Sequence, residues 1–491
     1  MTEFKNSKDT ADRFEQARQE KLNAIKQMGI DPYGGRYDGA EPAVDIKARY
    51  KDGEEGQKAK CAGRIVLLRD IGKLIFITLR DSSGPIQVGL SKSLLDSKWS
   101  FMKLLELGDI IGASGGLGKT KTGEITIWAD EVELLSKSLM QPPEKWHGLA
   151  DIDLRYRQRY VDLWANPDVM GLFRKRSAIL RTVREYLTGR GFMEVETPMM
   201  QAIPGGAAAQ PFKTHHNALG CDFYMRIALE LPLKRMLVGG VDKVFEIGRV
   251  FRNEGLSRKH NPEFTMLELY QAYGDYESMM ELVQGMVCHV AQKVLGTLKI
   301  EHKDVQGKVT KTIDLTPPWR RVKYKDIVRE KAGADWFEIS AKERRKRAES
   351  LGAEIAKDYE DFEVTQAVFE KLIEPTLINP TFVTHAPKEL IPLAKVSPDD
   401  PTTVEVFECC INGQEIAPAY SEQNDPIEQR ERLEHQAGGE RQKLDEDFLV
   451  ALEHGMPPAG GIGIGIDRLC MMLLGQESIR DVILFPQLKP K

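Results

Sequence analysis

Alternation and helical periodicity divide the chain into distinct stretches. Between about residues 58 and 136, the runs CAGRIVLLRD, LIFITLRD, GPIQVGL, DIIGASGGLGKT and EITIWADEVELL alternate apolar and polar positions and are separated by Gly, Asp and Ser turns. A period of two marks a half-buried strand, and five such runs in succession predict an all-β barrel. Ahead of them, ADRFEQARQEKLNAIKQM (11–28) has helical spacing and a thin apolar stripe of Phe14, Leu22, Ala24 and Ile25, stopped by Gly29 and Pro32. Behind them, SKSLMQPPEKWHGLA (136–150) carries a Pro-Pro pair and few apolar residues, and predicts a linker.

The longer remainder mixes helices with strands. FRKRSAILRTVREYLTGRGF predicts a helix with Ile179, Leu180, Val183 and Leu187 on its apolar face, ending at Gly189 to Gly191; GFMEVETPMM follows as a strand broken by Pro198. KVFEIGRVF and FTMLELYQAY flank the turn-rich GLSRKHNP, which predicts strand, loop, strand. Phe264, Met266, Glu268 and Tyr270 then share one face, with Leu267 and Leu269 on the other. Residues 300–400 contain helical stretches such as ISAKERRKRAESLGAEIAKDY and DFEVTQAVFEKLIE. The basic run KERRKR there reads as a solvated helix face.

Two further segments carry candidate chemistry. In VEVFECCINGQEIAPAY, Asn412-Gly413 between apolar runs predicts a two-residue type I′ hairpin in which Ile411 faces Gln414, Cys410 faces Glu415 and Cys409 faces Ile416. Glu408 and Glu415 become diagonal neighbours about 7 Å apart at the backbone. Two carboxylates that close repel, and Mg²⁺, which is usually held by one or two carboxylates plus substrate phosphates, would offset the repulsion. In GGIGIGIDRLCMMLL (460–474) a Gly-rich strand runs into an amphipathic helix with Arg468 at its start. The G-x-G-x-G spacing, with no room for a following βαβ unit, excludes a dinucleotide loop; the glycines allow close approach of a ligand to the backbone.

Composition narrows the function class. The 491 residues are enough for two or three domains, 41% are hydrophobic, and the formal net charge is −5, which excludes a protein that coats nucleic acid indiscriminately. The charged start MTEFKNSKDT has no apolar signal core, and no stretch reaches the roughly 20 apolar residues of a membrane span, so a cytoplasmic address and no membrane partner are expected. The six cysteines form no C-x-x-C pair and read as reduced core residues. His215 and His216, adjacent on a strand, point apart and are given no ligand role.

Arg252, Arg258 and His260 crowd one end of the FRNEGLSRKHNPEFTMLELY segment, and an arginine fork suits both phosphate oxygens and flat rings. This segment resembles motif 2 of the class II aminoacyl-tRNA synthetases, closest to the lysyl-tRNA synthetase family; the likeness extends along nearly the whole chain. GFMEVETPMM is similar to motif 1, and the 460–474 segment to motif 3. The resemblance implies that Arg252 holds the α-phosphate of ATP, that Glu254, His260 and Asn261 lie by the nucleotide, and that Phe264 and Arg468 stack on either side of adenine. It implies Glu268, Tyr270 and Glu422 at the side-chain ammonium of lysine, Glu230 and Gly206 at the α-amino group, and Glu408 and Glu415 as Mg²⁺ ligands. Phe76 and Gln87 match positions that read the central anticodon base on an OB barrel, a fold that stacks unpaired bases on aromatics. Arg18, Lys21 and Lys26 of the first helix match an element that can lie along tRNA phosphates. The partners so implied are ATP, lysine, tRNA and a second copy of the chain, through the region around Gly191–Pro198.

The expected fold is therefore α+β: a helical extension (1–55), an OB barrel (56–140), a linker (141–155) and a catalytic domain (156–491) built on a mainly antiparallel sheet, with an insertion around 300–400. The expected activity is ATP-dependent ligation of lysine to tRNA. Competing readings are a synthetase of the aspartate or asparagine type, whose pocket would need cations where this chain has Glu268 and Glu422, and an RNA-binding OB protein without catalysis. Pro418 stands where Asn is common in the family, Gln210 where Arg is usual, and RIALELP replaces RIAPEL, moving proline to Pro232. These departures predict an altered strand path or altered amino-acid preference.

Overall fold

The alternating runs of the N-terminal third close on themselves. In the computed structural model, which describes residues 2–142, 149–207, 209–436 and 445–490, strands Lys58–Asp70 (β1), Leu74–Arg80 (β2), Pro85–Ser91 (β3), Ile110–Lys119 (β4) and Ile125–Ser136 (β5) form a closed barrel in the order β1-β2-β3-β5-β4. Its inside is apolar because every second residue points there: Ile75, Ile77 and Leu79, Ile86, Val88 and Leu90, and Ile127 and Ala129 are all buried. The intervening residues Phe76, Gln87 and Trp128 face out. Residues 143–148, within the expected linker, lie outside the described residues; Ile152–Arg157, which overlaps the linker's end, is helical.

A helix spans Thr2–Gln27 and ends two residues before Gly29, whose φ of 73° suits glycine. Leu22 and Ile25 bury its stripe. Arg18 and Lys21 do not face solvent phosphate as the resemblance implied. Arg18 is buried and donates to the carbonyls of Ser138 (2.9 Å) and Leu107 (3.0 Å), and Lys21 pairs with Glu106 at 2.8 Å. Their charge is consumed in tying the helix to the barrel.

Residues 150–491 form a second unit. Its strands are Met193–Glu194 (β6), Met200–Gln201 (β7), Lys213–His216 (β8), Cys221–Met225 (β9), Lys243–Phe251 (β10), Glu263–Ala272 (β11), Lys299–Lys303 (β12), Val309–Asp314 (β13), Arg320–Lys323 (β14), Thr381–Thr384 (β15), Val406–Ile411 (β16), Gln414–Ser421 (β17) and Ala459–Gly465 (β18). Eight of them make one sheet in the order β14-β15-β16-β17-β18-β11-β10-β6, antiparallel except for a parallel pair at each edge. Helices Pro167–Thr188 and Tyr276–Leu295 cover one face, packing Ile179, Val183 and Leu187 and Met279, Val283 and Val287 against Leu267, Leu269, Ile462 and Ile464. At about 1.5–3 kcal/mol per fully buried aliphatic side chain, this layer holds the sheet rigid. The opposite face of β11 carries Phe264, Met266, Glu268 and Tyr270.

In the 300–400 region the basic run is a solvated face only in part: Lys342, Glu343 and Lys346 are exposed, but the arginines are engaged. Arg344 is buried and donates to the carbonyls of Trp336 (2.9 Å) and Ile339 (3.1 Å), Arg345 caps the carbonyls of Ala356 and Tyr359, and Arg347 pairs with Asp335. These guanidiniums satisfy backbone acceptors around a separate small core that contains Trp336 and Phe369.

Candidate active site

Sheet register delivers two clusters of charge to the open face. The first gathers Arg252, His260 and Arg468 beside the β16–β17 turn. The β16–β17 turn has φ of 63° at Asn412 and 69° at Gly413, the type I′ geometry. Ile411 pairs with Gln414 and Cys410 with Glu415, but Cys409 pairs with Ala417, not Ile416, because a bulge falls between Cys409 and Cys410. Glu408 therefore lies opposite Pro418. A proline lacks an N–H, so no ladder bond forms from that position.

Arg252 leaves β10 with its guanidinium carbon 5.3 Å from the Phe264 ring centroid and its Nε donating to the Ile227 carbonyl at 3.3 Å. Burial lowers its pKa, while Glu254, Glu268 and Glu415 oppose that effect. Arg468 donates to the Glu415 carbonyl (3.1 Å) and lies 3.1 Å from His260 Nε2. Arginine can only donate, so Nε2 accepts and the His260 proton sits on Nδ1, bonded to Ser257 Oγ at 2.8 Å. Burial, followed by Arg468, holds His260 below the usual histidine range, which keeps it neutral. Asn261 donates to the Glu263 carbonyl at 2.6 Å, and its buried Oδ1 has no partner among the described residues. Asp467, one residue before Arg468, accepts from the Thr265 N–H at 2.7 Å and pairs with Arg176. That clamp fixes the helix start against β11.

The metal question turns on the acids beside this cluster. Burial, then Glu415, Glu374 and Glu370, push the Glu408 carboxyl well above the usual range. Glu374 accepts the Glu415 N–H at 2.7 Å. No group of three metal-ligating side chains converges among the described residues. Two repelling carboxylates without a complete cage fit Mg²⁺ shared with phosphates, and not a metal held by protein alone.

The second cluster is buried. Glu268 accepts the Leu229 N–H at 2.9 Å and the Tyr270 hydroxyl at 3.1 Å. Glu230 accepts Lys234 Nζ and the Tyr420 hydroxyl, both at 2.7 Å, and Lys234 also pairs with Glu422. Glu230, Lys234, Glu268 and Glu422 are at most 4% exposed. Burial and the Glu230 charge raise the Glu268 pKa to about 7; burial raises Glu422 to about 8 despite Lys234. Burial disfavours the Lys234 charge, but Glu230 and Glu422 outweigh it and hold the ammonium above the ordinary lysine range. Three carboxylates and one ammonium leave a deficit of two positive charges when all are ionised. Oε1 of Glu422 has no partner among the described residues.

Glycines make the room. A Cβ on Gly206, whose φ is 85°, would lie 3.0 Å from Ala228 Cβ and 3.1 Å from Glu230 Cβ, and one on Gly461 would strike Glu422 and the Tyr270 ring. Pro232 occupies the first turn of helix Glu230–Val238, where an N–H has no helical partner, so it distorts nothing. Gln210 contributes its backbone carbonyl to the Asn253 N–H at 2.7 Å. His215 bonds Asp222 at 2.8 Å and His216 lies against Phe223, separate from both clusters. Phe76 and Gln87 belong to the other unit, on the outer surface of the barrel.

Sequence reading missed Lys234, Tyr420, Glu374 and the Leu229 N–H. Lys234 had a signal, since Glu230 and Lys234 are four apart and share a helix face. Glu374 had none, because a distant turn brings it to the hairpin.

Residues 151–489 match the family described as tRNA synthetases class II (D, K and N), and residues 59–135 match the OB-fold nucleic acid binding domain. The chain belongs to the class II tRNA synthetases. Within that class, it is 50% identical over 483 residues to the lysine–tRNA ligase of Thermoanaerobacter sp. (strain X514), covering 96% of this chain and 95% of that protein. It is 50% identical over 482 residues to the lysine–tRNA ligase of Carboxydothermus hydrogenoformans (96% and 97% covered) and 47% identical over 490 residues to that of Bacillus subtilis (97% of each).

Proposed function

We propose that this synthetase joins lysine to its tRNA in two steps. In the first, a lysine carboxylate oxygen attacks the α-phosphorus of ATP, the bond to the β-phosphate oxygen breaks, and pyrophosphate leaves with its electron pair. In the second, a hydroxyl oxygen of the terminal ribose of tRNA attacks the carbonyl carbon of the adenylate, and AMP departs. No protein nucleophile is needed; the residues position and stabilise charge.

Arg252 holds the α-phosphate, and Phe264 and Arg468 enclose adenine, with Glu254, His260 and Asn261 beside the nucleotide. Glu408 and Glu415 would hold Mg²⁺, which supplies charge neutralisation at the phosphates when bound. Glu268, Tyr270 and Glu422 take the side-chain ammonium, and Glu230 and Gly206 the α-amino group. The barrel residues Phe76 and Gln87 take the central anticodon base. Two copies associate through the region around Gly191–Pro198, where Met193, Met199 and Met200 are about half exposed. No helix among the described residues is long and apolar enough to cross a membrane, and the reaction belongs to the cytoplasm, where its tRNA is used.

The charge deficit of the buried cluster is the observation that carries the lysine reading. Lysine brings two ammonium groups, which balance it; aspartate would add negative charge to a buried acidic site, at a cost of several kcal/mol. The test is pyrophosphate exchange with each amino acid in turn. Lysine alone should support rapid exchange; exchange with aspartate or asparagine and none with lysine would overturn the assignment.

A further inference from the structure

The outer face of the barrel carries, beside Phe76, a tryptophan that the assignments above leave unused. One cross-strand row runs Arg69 (β1), Phe76 (β2), Gly89 (β3), Trp128 (β5). Cα partners share a face, so all four project to the same side. The indole of Trp128 lies along the sheet: a Cβ on Gly89 would meet its Cε3 and Cζ3 at 2.7 Å, and one on Gly118 its Cδ1 and Nε1 at 3.3 Å. Two glycines under opposite ends of one ring system require the ring to lie flat on the strands, and a flat indole turns one π-face outward. Phe76 stands beside it, ring centroids 5.8 Å apart and planes at 70°. Arg69 at the end of the row is exposed.

We propose that Trp128 is a second base-stacking platform on this face, taking an unpaired nucleobase next to the one held by Phe76. This rests on the proposal that the barrel binds tRNA, and it adds a residue to that site. Stacking needs only a π-face and is tolerant of base identity, and an adjacent arginine supplies attraction for the backbone. The steep angle between the two rings suits bases splayed apart in a single-stranded loop, not the parallel bases of a duplex. Burying the indole in the barrel would have been the ordinary fate of a tryptophan on a strand, but Ile127 and Ala129 already hold the inward positions.

The test uses the full chain, an oligouridylate as probe, and a fully paired RNA duplex as control. Trp128→Phe keeps a π-face and should bind the oligouridylate within about threefold of the unaltered protein, whereas Trp128→Leu, equally apolar, should bind about tenfold more weakly or worse. The oligouridylate should quench tryptophan fluorescence of the unaltered protein, and the duplex should not; in Trp128→Phe the quenching should disappear although binding persists. Equal binding by the Leu and unaltered proteins, or quenching that survives in Trp128→Phe, would overturn the platform while leaving the tRNA reading intact. Failure of the unaltered protein to bind either the oligouridylate or tRNA would overturn both.

Discussion

Arg252, His260 and Arg468 stand on a loop and at a helix start, partly open to solvent, whereas Glu230, Lys234, Glu268 and Glu422 are buried on or beside sheet and helix, with Lys234 bonded to Glu230 and Glu422, and Glu268 to Tyr270 and the Leu229 N–H. On the proposed assignment, the first cluster takes ATP, a large polyanion, together with its metal. The amine end is set beforehand: its donors and acceptors are fixed by Leu229, Tyr270 and Tyr420, and what it lacks is positive charge. On that assignment, affinity at the first end would come from charge-assisted bonds, and selectivity at the second from leaving buried acids uncompensated when the wrong substrate enters.

That contrast can be broken most severely at Glu268. Glu268→Gln should lower kcat/KM for lysine by about 10²–10³-fold, the cost of breaking a buried charge pair, while ATP affinity changes by less than about threefold. Equal losses for both substrates in exchange kinetics would show that the ends are not separable. Arg468→Ala should give the mirror image, about 10²-fold in the rate of exchange with little change in the KM for lysine, as when one preorganised donor is lost.

The pH dependence sharpens the same point. With Glu268 at about 7 and Glu422 at about 8 in the free site, both acids must lose protons to meet the two ammonium groups. Lysine binding should release protons between pH 6 and 8, visible as buffer-dependent calorimetric heats, and tighten as pH rises through that window. The sign for stability is opposite in the free protein: carboxyl pKa values raised from the ordinary 4.5 favour the folded state at low pH, and that contribution is lost as pH rises from about 4.5 through about 7 and about 8. The rise in Tm caused by lysine should therefore be larger at pH 8 than at pH 6.

The smallest expected effect is at Leu229. Leu229→Pro removes the one backbone N–H bonded to Glu268 at 2.9 Å and should weaken lysine binding by about tenfold, with the pH profile displaced upward because a bond to the ionised form is lost. An unchanged profile measured by lysine titration across pH would mean that the Tyr270 hydroxyl suffices.

Much of the nucleotide end was legible in the sequence, since its geometry follows from local rules. Asn412-Gly413 predicts its turn, alternation places Glu408 and Glu415 on one side of it, and a Gly-rich strand leads into the helix that starts near Arg468. The hairpin prediction failed at Ile416 because a bulge depends on how β17 packs, which alternation does not encode. The amine end was half legible: strand period placed Glu268 and Tyr270 together, but with no helix expected over ELPLK the i, i+4 pair Glu230 and Lys234 stayed hidden. The basic cluster at 342–347 and Arg18 misled for one physical reason. Charge in a sequence does not reveal whether backbone carbonyls will be waiting for it.

The most direct test compares lysine with norleucine, which has the same length and α-ammonium but no side-chain ammonium, by calorimetric titration into the nucleotide-free protein. Left one positive charge short, the pocket should bind norleucine at least about 10²-fold more weakly than lysine, the penalty for leaving a buried acid unpaired. Norleucine binding within a few-fold of lysine would contradict the account.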